Sequence, residues 1–244
     1  MILVCTHKEF AAPKIAGYQV IFCGSQDNLQ KNNSYLLDNT GENISHKNEN
    51  FCELTAIYWA WENDYFDEIA SFCHYRRFFA GEENYEKHKI ISELEISQIL
   101  QSYDIILAKP RNYFIFTVEQ QYKFAHYSKD FEKLRFVIAQ KYPEYLQAFE
   151  KVAKSRKLSL YNCFAMRKNL FNQYSEFIFS VLFDIEKELD ISNYDAYQKR
   201  VFGFLAERLL NVFVEKNNLN VYYRKIVTTE KSKFFPRIKK YFVK

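Results

Sequence analysis

The chain has 244 residues, 48% hydrophobic and 26% charged, with a formal net charge of +4; that is enough chain for one large domain with a sizeable core. Only 5 Gly and 4 Pro occur, and neither a G-x-G-x-x-G nor a Walker loop is present, which excludes low-complexity tracts and the two commonest phosphate-cradling loops. The 5 cysteines (Cys5, Cys23, Cys52, Cys73, Cys163) form no C-x-x-C pair, which argues against a zinc ribbon or redox couple and for buried free thiols of a reducing compartment.

Residues 2–6 (ILVCT) are an apolar run that ends in polar residues, the pattern of a buried parallel strand. Loops at such strand ends are where open α/β sheets bind ligands. Residues 18–23 form a second strand, stopped at Gly24 and Ser25. Residues 38–45 (DNTGENIS) carry the strongest turn signal in the chain. Ser45 or Asn48 then stands where a cap would start a helix bearing Leu54, Ile57, Tyr58 and Trp61 at helical spacing. Trp59 and Trp61 are assigned to the core. A strand over 69–72 delivers Cys73-His74-Tyr75-Arg76-Arg77-Phe78-Phe79 at its end. There follow an exposed charged helix over 82–100, a strand over 103–108, a helix over 117–142, and a further helix after Pro143. A strand over 160–166 precedes a long apolar stripe from Leu170 to Leu189, an amphipathic helix over 200–215 and a last strand at 221–223.

Strand–helix alternation followed by helices predicts an α/β fold, with a mostly parallel, Rossmann-like central sheet flanked by helices and additional helices towards the C-terminus. Residues 1–230 are taken as one domain. Residues 231–244 are a basic-aromatic tail, six Lys/Arg and no acid interleaved with Phe234, Phe235, Tyr241 and Phe242, a composition suited to an anionic membrane face. Because the cations concentrate in that one short tail instead of a broad face, nucleic acid is not expected as a partner. No apolar run approaches the ~18 residues of a membrane span, and the N-terminus lacks the basic region of a signal peptide. The expected location is the cytoplasm, with peripheral attachment to the inner face of the membrane through the tail.

His74-Tyr75-Arg76-Arg77 places an imidazole, a phenol and two guanidiniums at the end of a buried strand. Strand alternation would put His74 and Arg76 on one face and Tyr75 and Arg77 on the other. Taken with Asp38-Asn39-Thr40-Gly41-Glu42-Asn43-Ile44-Ser45 and Cys52-Glu53-Leu54-Thr55-Ala56-Ile57-Tyr58-Trp59, this succession resembles a bacterial family of capsular and exopolysaccharide biosynthesis proteins, long classed only as a domain of unknown function and now grouped with glycosyltransferases. The residues Tyr103-Asp104-Ile105-Ile106-Leu107, Tyr161-Asn162-Cys163-Phe164 and Phe202-Gly203-Phe204-Leu205-Ala206-Glu207-Arg208-Leu209-Leu210 continue the pattern in order. At Cys163 the family pattern has methionine, a change in packing.

The resemblance implies a GT-A-like fold. It also implies transfer of a sugar from a nucleotide donor, taken here as uridine diphosphate-linked, to a glycan or polyprenyl-linked oligosaccharide in capsular, exopolysaccharide or lipopolysaccharide synthesis. Some relatives are associated with galactofuranose; no residue here selects that donor. Enzymes of this fold commonly hold a divalent ion through Asp-x-Asp, and none occurs in this chain, so no metal ligand and no resident cofactor are assigned, while a divalent metal stays open and the nucleotide sugar is the substrate. In its place His74 and Arg76, with Tyr75 and Arg77 beside them, are assigned as a cationic clamp on the diphosphate. Glu207 is the first choice for the base that takes the acceptor proton and Glu53 the second. Thr6, His7 and Lys8 are assigned to the uracil and ribose end of the donor, Asp38, Asn43 and Ser45 to ribose or sugar hydroxyls, and Asn162 to the donor sugar. The competing reading is a non-catalytic carbohydrate-binding or assembly subunit, which would have no nucleotide affinity.

Overall fold

The computed structural model describes residues 1–24 and 35–230; Ser25 and the basic-aromatic tail of 231–244 lie outside the described residues. The first part of the chain forms β1 (Ile2–Thr6), β2 (Tyr18–Phe22), β3 (Leu36–Leu37), α1 (Asn48–Phe51) and α2 (Leu54–Glu62). The middle forms β4 (Ile69–His74), β5 (Arg77–Tyr85), β6 (His88–Ile90), α3 (Glu93–Ile99), β7 (Ile105–Ala108), β8 (Arg111–Asn112), α4 (Val118–Ala125), α5 (Ser128–Lys141) and α6 (Leu146–Lys154). The last part adds β9 (Lys157–Leu158), β10 (Phe164–Arg167), α7 (Lys168–Glu188), α8 (Val201–Lys216), β11 (Val221–Arg224) and β12 (Ile226–Thr228).

The central sheet runs β3-β2-β1-β4-β10-β7-β11. β1, β2, β3 and β4 are mutually parallel, as are β7 and β11, and β10 lies antiparallel between β4 and β7. The expected mostly parallel α/β sheet is therefore what forms. Its strands read as unbroken apolar runs because both faces are covered. Leu3, Cys5, Ile21, Phe72 and Leu107 point into a core under α2, α7 and α8. Ile2, Val4, Val20, Cys73 and Ile106 point into a second core under α3 and the β5–β6 hairpin. All 5 cysteines are free; four are buried and Cys52 is half-buried. Trp59 is buried in the first core with its Nε1 donating to Thr40 Oγ1 at 2.9 Å, and Trp61 stacks on Phe179.

Four expected elements differ. The helix predicted after Ser45 is broken at Cys52, whose φ of 55° lies in the left-handed region, giving α1 and α2. Ser45 caps nothing, because its hydroxyl donates to the buried Asp38 carboxylate. The first part of the helix predicted over 82–100 is a hairpin: β5 continues to Tyr85, turns at Glu86 (φ 52°) and returns as β6. Only α3 is helical there, started by a capping box of Ser92 and Glu95. The helix predicted over 117–142 splits at His126, which takes an extended backbone and sends its ring to Gln198 and Phe204. The strand predicted over 160–166 begins only at Phe164, since Tyr161 (φ 81°) and Asn162 (φ 49°) are left-handed.

Candidate functional site

The C-terminal ends of β1, β2 and β4 open into one cleft of ≈ 290 Å³, where loops of a parallel sheet gather ligand contacts. Thr6 and His7 come from β1, Cys23 from β2, and His74 from β4. The α1–α2 junction supplies Asn48, Glu49, Cys52 and Glu53, and Arg200, at the N-cap of α8, adjoins them in the lining.

The His-Tyr-Arg-Arg segment is not a strand end with alternating faces. β4 runs through His74, the chain reverses at Tyr75–Arg76, and Arg77 pairs back onto His74 as the first residue of β5. The reversal separates the four side chains. His74 and Arg76 line the cleft. Tyr75 is buried in the second core, its ring in contact with His7, Phe10 and His74 and its N–H donating to Cys5 O. Arg77 lies 4.2 Å over the Tyr161 ring and is absent from the cleft lining.

Burial, reinforced by Arg77 and Arg76, holds the His74 imidazole well below its ordinary range, so it is neutral at neutral pH and adds no positive charge to the clamp. Arg76 stays charged, as guanidinium does in proteins, and forms no ion pair among the described residues. Its Nε and the Nδ1 of His74 are buried without a hydrogen-bond partner. Among the described residues Arg200 also forms no ion pair: its Nε donates to Cys52 Sγ at 3.1 Å. That thiol is pushed up to about 12, mainly by burial and then by Glu53, and is therefore neutral.

The two carboxylates assigned as base have different surroundings. Glu53 faces the cleft and accepts from Asn162 Nδ2 at 2.9 Å. Asn162 is itself buried, with Nδ2 also on Gly203 O and Oδ1 unpartnered; it touches the site through Glu53. Glu207 is absent from the cleft lining. Its Oε2 accepts from the buried Arg208 at 2.9 Å and its Oε1 from the Tyr161 N–H at 2.7 Å. Burial raises its pKa against the opposing pull of Arg208.

The loop residues divide in the same way. Thr6 is buried and ties its hydroxyl to Lys8 O, holding the loop after β1. His7 is at the rim, its pKa lowered by burial and by Arg76. Lys8 turns away to Glu230 at 2.7 Å and lies over Tyr75. Asp38 is completely buried and accepts from Gly24 N–H, Ser45 Oγ and Thr55 Oγ1. Asn43 folds back on Gly41 O and receives Ser45 N–H. Asp38, Asn43 and Ser45 thus shape the loop beneath α2 and do not line the cleft.

Among the described residues no three His, Cys, Asp or Glu side chains converge to hold a metal ion, so no chemical step is derived through one. The residue that sequence reasoning passed over is Arg200. Its signal was available: it stands two residues ahead of the Phe202–Leu210 segment and two helical turns from Glu207.

The family model for "Domain of unknown function (DUF4422)" matches residues 1–218. The chain belongs to this family. Among solved structures, DUF4422 residues of this chain superimpose on the apo structure of WbbM, a bifunctional glycosyltransferase, with a TM-score of 0.82 and 28% identity. The match covers 94% of this chain and 45% of that one, so the chain spans a little under half of the protein it resembles. No curated protein matches it. Among the described residues of this DUF4422 chain, no helix is long and apolar enough to cross a membrane.

Proposed function

We propose that the chain is a glycosyltransferase that moves a sugar from a nucleoside diphosphate donor, uridine diphosphate-linked, to a hydroxyl of a glycan or polyprenyl-linked oligosaccharide in surface-polysaccharide synthesis. The observation that carries this reading is that Arg76 and Arg200, neither in an ion pair among the described residues, line one cleft together with Glu53. The likeness to a bifunctional glycosyltransferase along 94% of the chain supports the reaction class.

Each part of the site has a task. Arg76 and Arg200 receive the diphosphate, their planar donor forks matching phosphate oxygens. The N-terminus of α8 adds the positive end of its dipole at the same wall. As the bond between the anomeric carbon and the phosphate oxygen breaks, the charge that collects on the leaving group falls between two fixed cations. Glu53 takes the proton of the attacking acceptor hydroxyl, whose oxygen bonds to the anomeric carbon. Asn162 aims that carboxylate, and neutral His74 supplies a hydrogen-bonding edge without competing for the phosphates. Glu207, carried by Arg208 and the Tyr161 N–H, holds the left-handed turn that delivers Asn162.

Incubation with a panel of nucleotide sugars, with and without EDTA, tests this directly. The expected result is release of nucleoside diphosphate that persists in EDTA. Strict dependence on Mn²⁺ or Mg²⁺ would overturn the role given to the arginines. A protein that neither binds nor turns over any nucleotide sugar would leave the non-catalytic carbohydrate-binding subunit in its place.

A further inference from the structure

We infer that the ribbon formed by β8, β9 and the loop 113–117 docks on an anionic lipid bilayer. Phe114 and Ile115 at the tip of that loop, and Phe124 on the adjoining face of α4, are 74%, 75% and 70% exposed. Soluble surfaces seldom carry large apolar side chains together at that exposure without a partner. The tip is also built at a cost: Phe114 sits at φ 56°, held there by its N–H donating to Asn112 Oδ1 at 2.8 Å. A left-handed non-glycine residue is disfavoured by roughly 1–2 kcal/mol, yet the strain here serves to project an aromatic ring into solvent instead of burying it.

The partner's chemistry follows from the rim. Arg111 on β8, Lys157 on β9 and Arg156, which precedes β9 opposite Tyr113, are exposed and form no ion pair among the described residues. The one acid of α4, Glu119, is already neutralised by Arg135 and Lys123. An apolar tip ringed by free cations matches an interface of acyl chains beneath anionic headgroups, where cations and inserted rings act together.

The position of the ribbon gives the docking a purpose. β7 runs in the same direction as β1 and β4, so Ala108 and the β8 that follows it emerge at the sheet edge that holds the cleft. At its other end, β9 leads within a few residues to Tyr161 and Asn162, which touch Glu207 and Glu53. A membrane-borne acceptor would thus be met at the mouth of the site; this purpose, unlike the docking itself, rests on the proposed glycosyl transfer.

Co-sedimentation of the full chain with phosphatidylglycerol–phosphatidylcholine vesicles and with pure phosphatidylcholine vesicles tests the docking. The wild type is expected to pellet with the anionic vesicles only. The double substitution Phe114→Ser, Ile115→Ser should abolish pelleting, and Arg111→Gln or Lys157→Gln should each weaken it about fivefold. Nucleotide-sugar hydrolysis in solution should be unchanged in all of them, so loss of docking and loss of transfer are separable. The proposal is overturned if the wild type ignores both vesicles or pellets equally with both. It is also overturned if the ribbon variants bind like the wild type while removal of residues 231–244 ends binding, or if they convert a dimer to a monomer without affecting vesicle binding.

Discussion

Glu53 and Glu207 show how neighbours decide what a carboxylate can do. Glu207 has both oxygens committed, one to a guanidinium whose side chain is 3% exposed, so its removal strands a buried charge. Such losses cost about 3–5 kcal/mol, and Glu207→Ala is expected to lower stability by that order in a denaturant titration. Among the described residues the Glu53 carboxylate accepts one hydrogen bond, from Asn162, and it faces the cleft. Glu53→Gln should preserve fold and donor binding while reducing kcat by roughly 10²–10⁴, the range for loss of a general base; unchanged kcat would remove Glu53 from that role. Histidines set the acid limit of the fold. His126 is lowered to about 4 from 6.5, chiefly by burial, and His74 shifts in the same direction. As pH falls below 6.5 the unfolded chain takes up these protons and the folded chain does not, so these two rings withdraw stability between pH 6.5 and about 4. His126→Gln should flatten that decline in thermal melts across the window; an unchanged slope would contradict the buried neutral ring.

At the scale of elements, the parallel strands were legible because each is an apolar run with a polar end, and α7 because its stripe spans Phe171 to Ile185 at helical spacing. The β5–β6 hairpin was not legible, since Glu82, Glu83, Glu86, Lys87 and Lys89 mask the alternation and look like a solvated helix. The breaks at Cys52 and Tyr161 were hidden for another reason: Cys and Tyr carry no left-handed turn signature, and tertiary hydrogen bonds from Arg200 and to Glu207 enforce them. These breaks bear on the site, because the first presents Glu53 and the second presents Asn162. Likewise, the polar loop 38–45 announced itself as a ligand loop by composition, whereas its acid is an internal lock. Asp38→Ala would remove the buried acceptor of Ser45 Oγ, Thr55 Oγ1 and the Gly24 N–H, at a cost of roughly 3 kcal/mol or more. A Tm drop on the order of 10 °C is the expected outcome. A raised donor KM with an unmoved Tm would instead restore Asp38 to the donor site.

For the molecule as a whole, a sheet covered on both faces leaves its C-terminal edge as the place where polar chemistry can gather, and β1, β2 and β4 deliver it there. The family resemblance located that edge and the His-Tyr-Arg-Arg segment, but one member of the clamp comes from 124 positions further along the chain, at the start of α8. Only folding brings Arg200 to Arg76, which is why the pair could not be read from local sequence. The proposed diphosphate site rests on that pair. Calorimetric titration of uridine diphosphate into the protein in EDTA is therefore the most direct test, comparing the wild type with Arg76→Ala and Arg200→Ala. Each lost guanidinium removes charge-assisted hydrogen bonds worth about 1.5–3 kcal/mol, so each variant should bind roughly 10- to 150-fold more weakly. Equal affinity in all three proteins, or binding that appears only when a divalent metal is added, would contradict the arginine clamp.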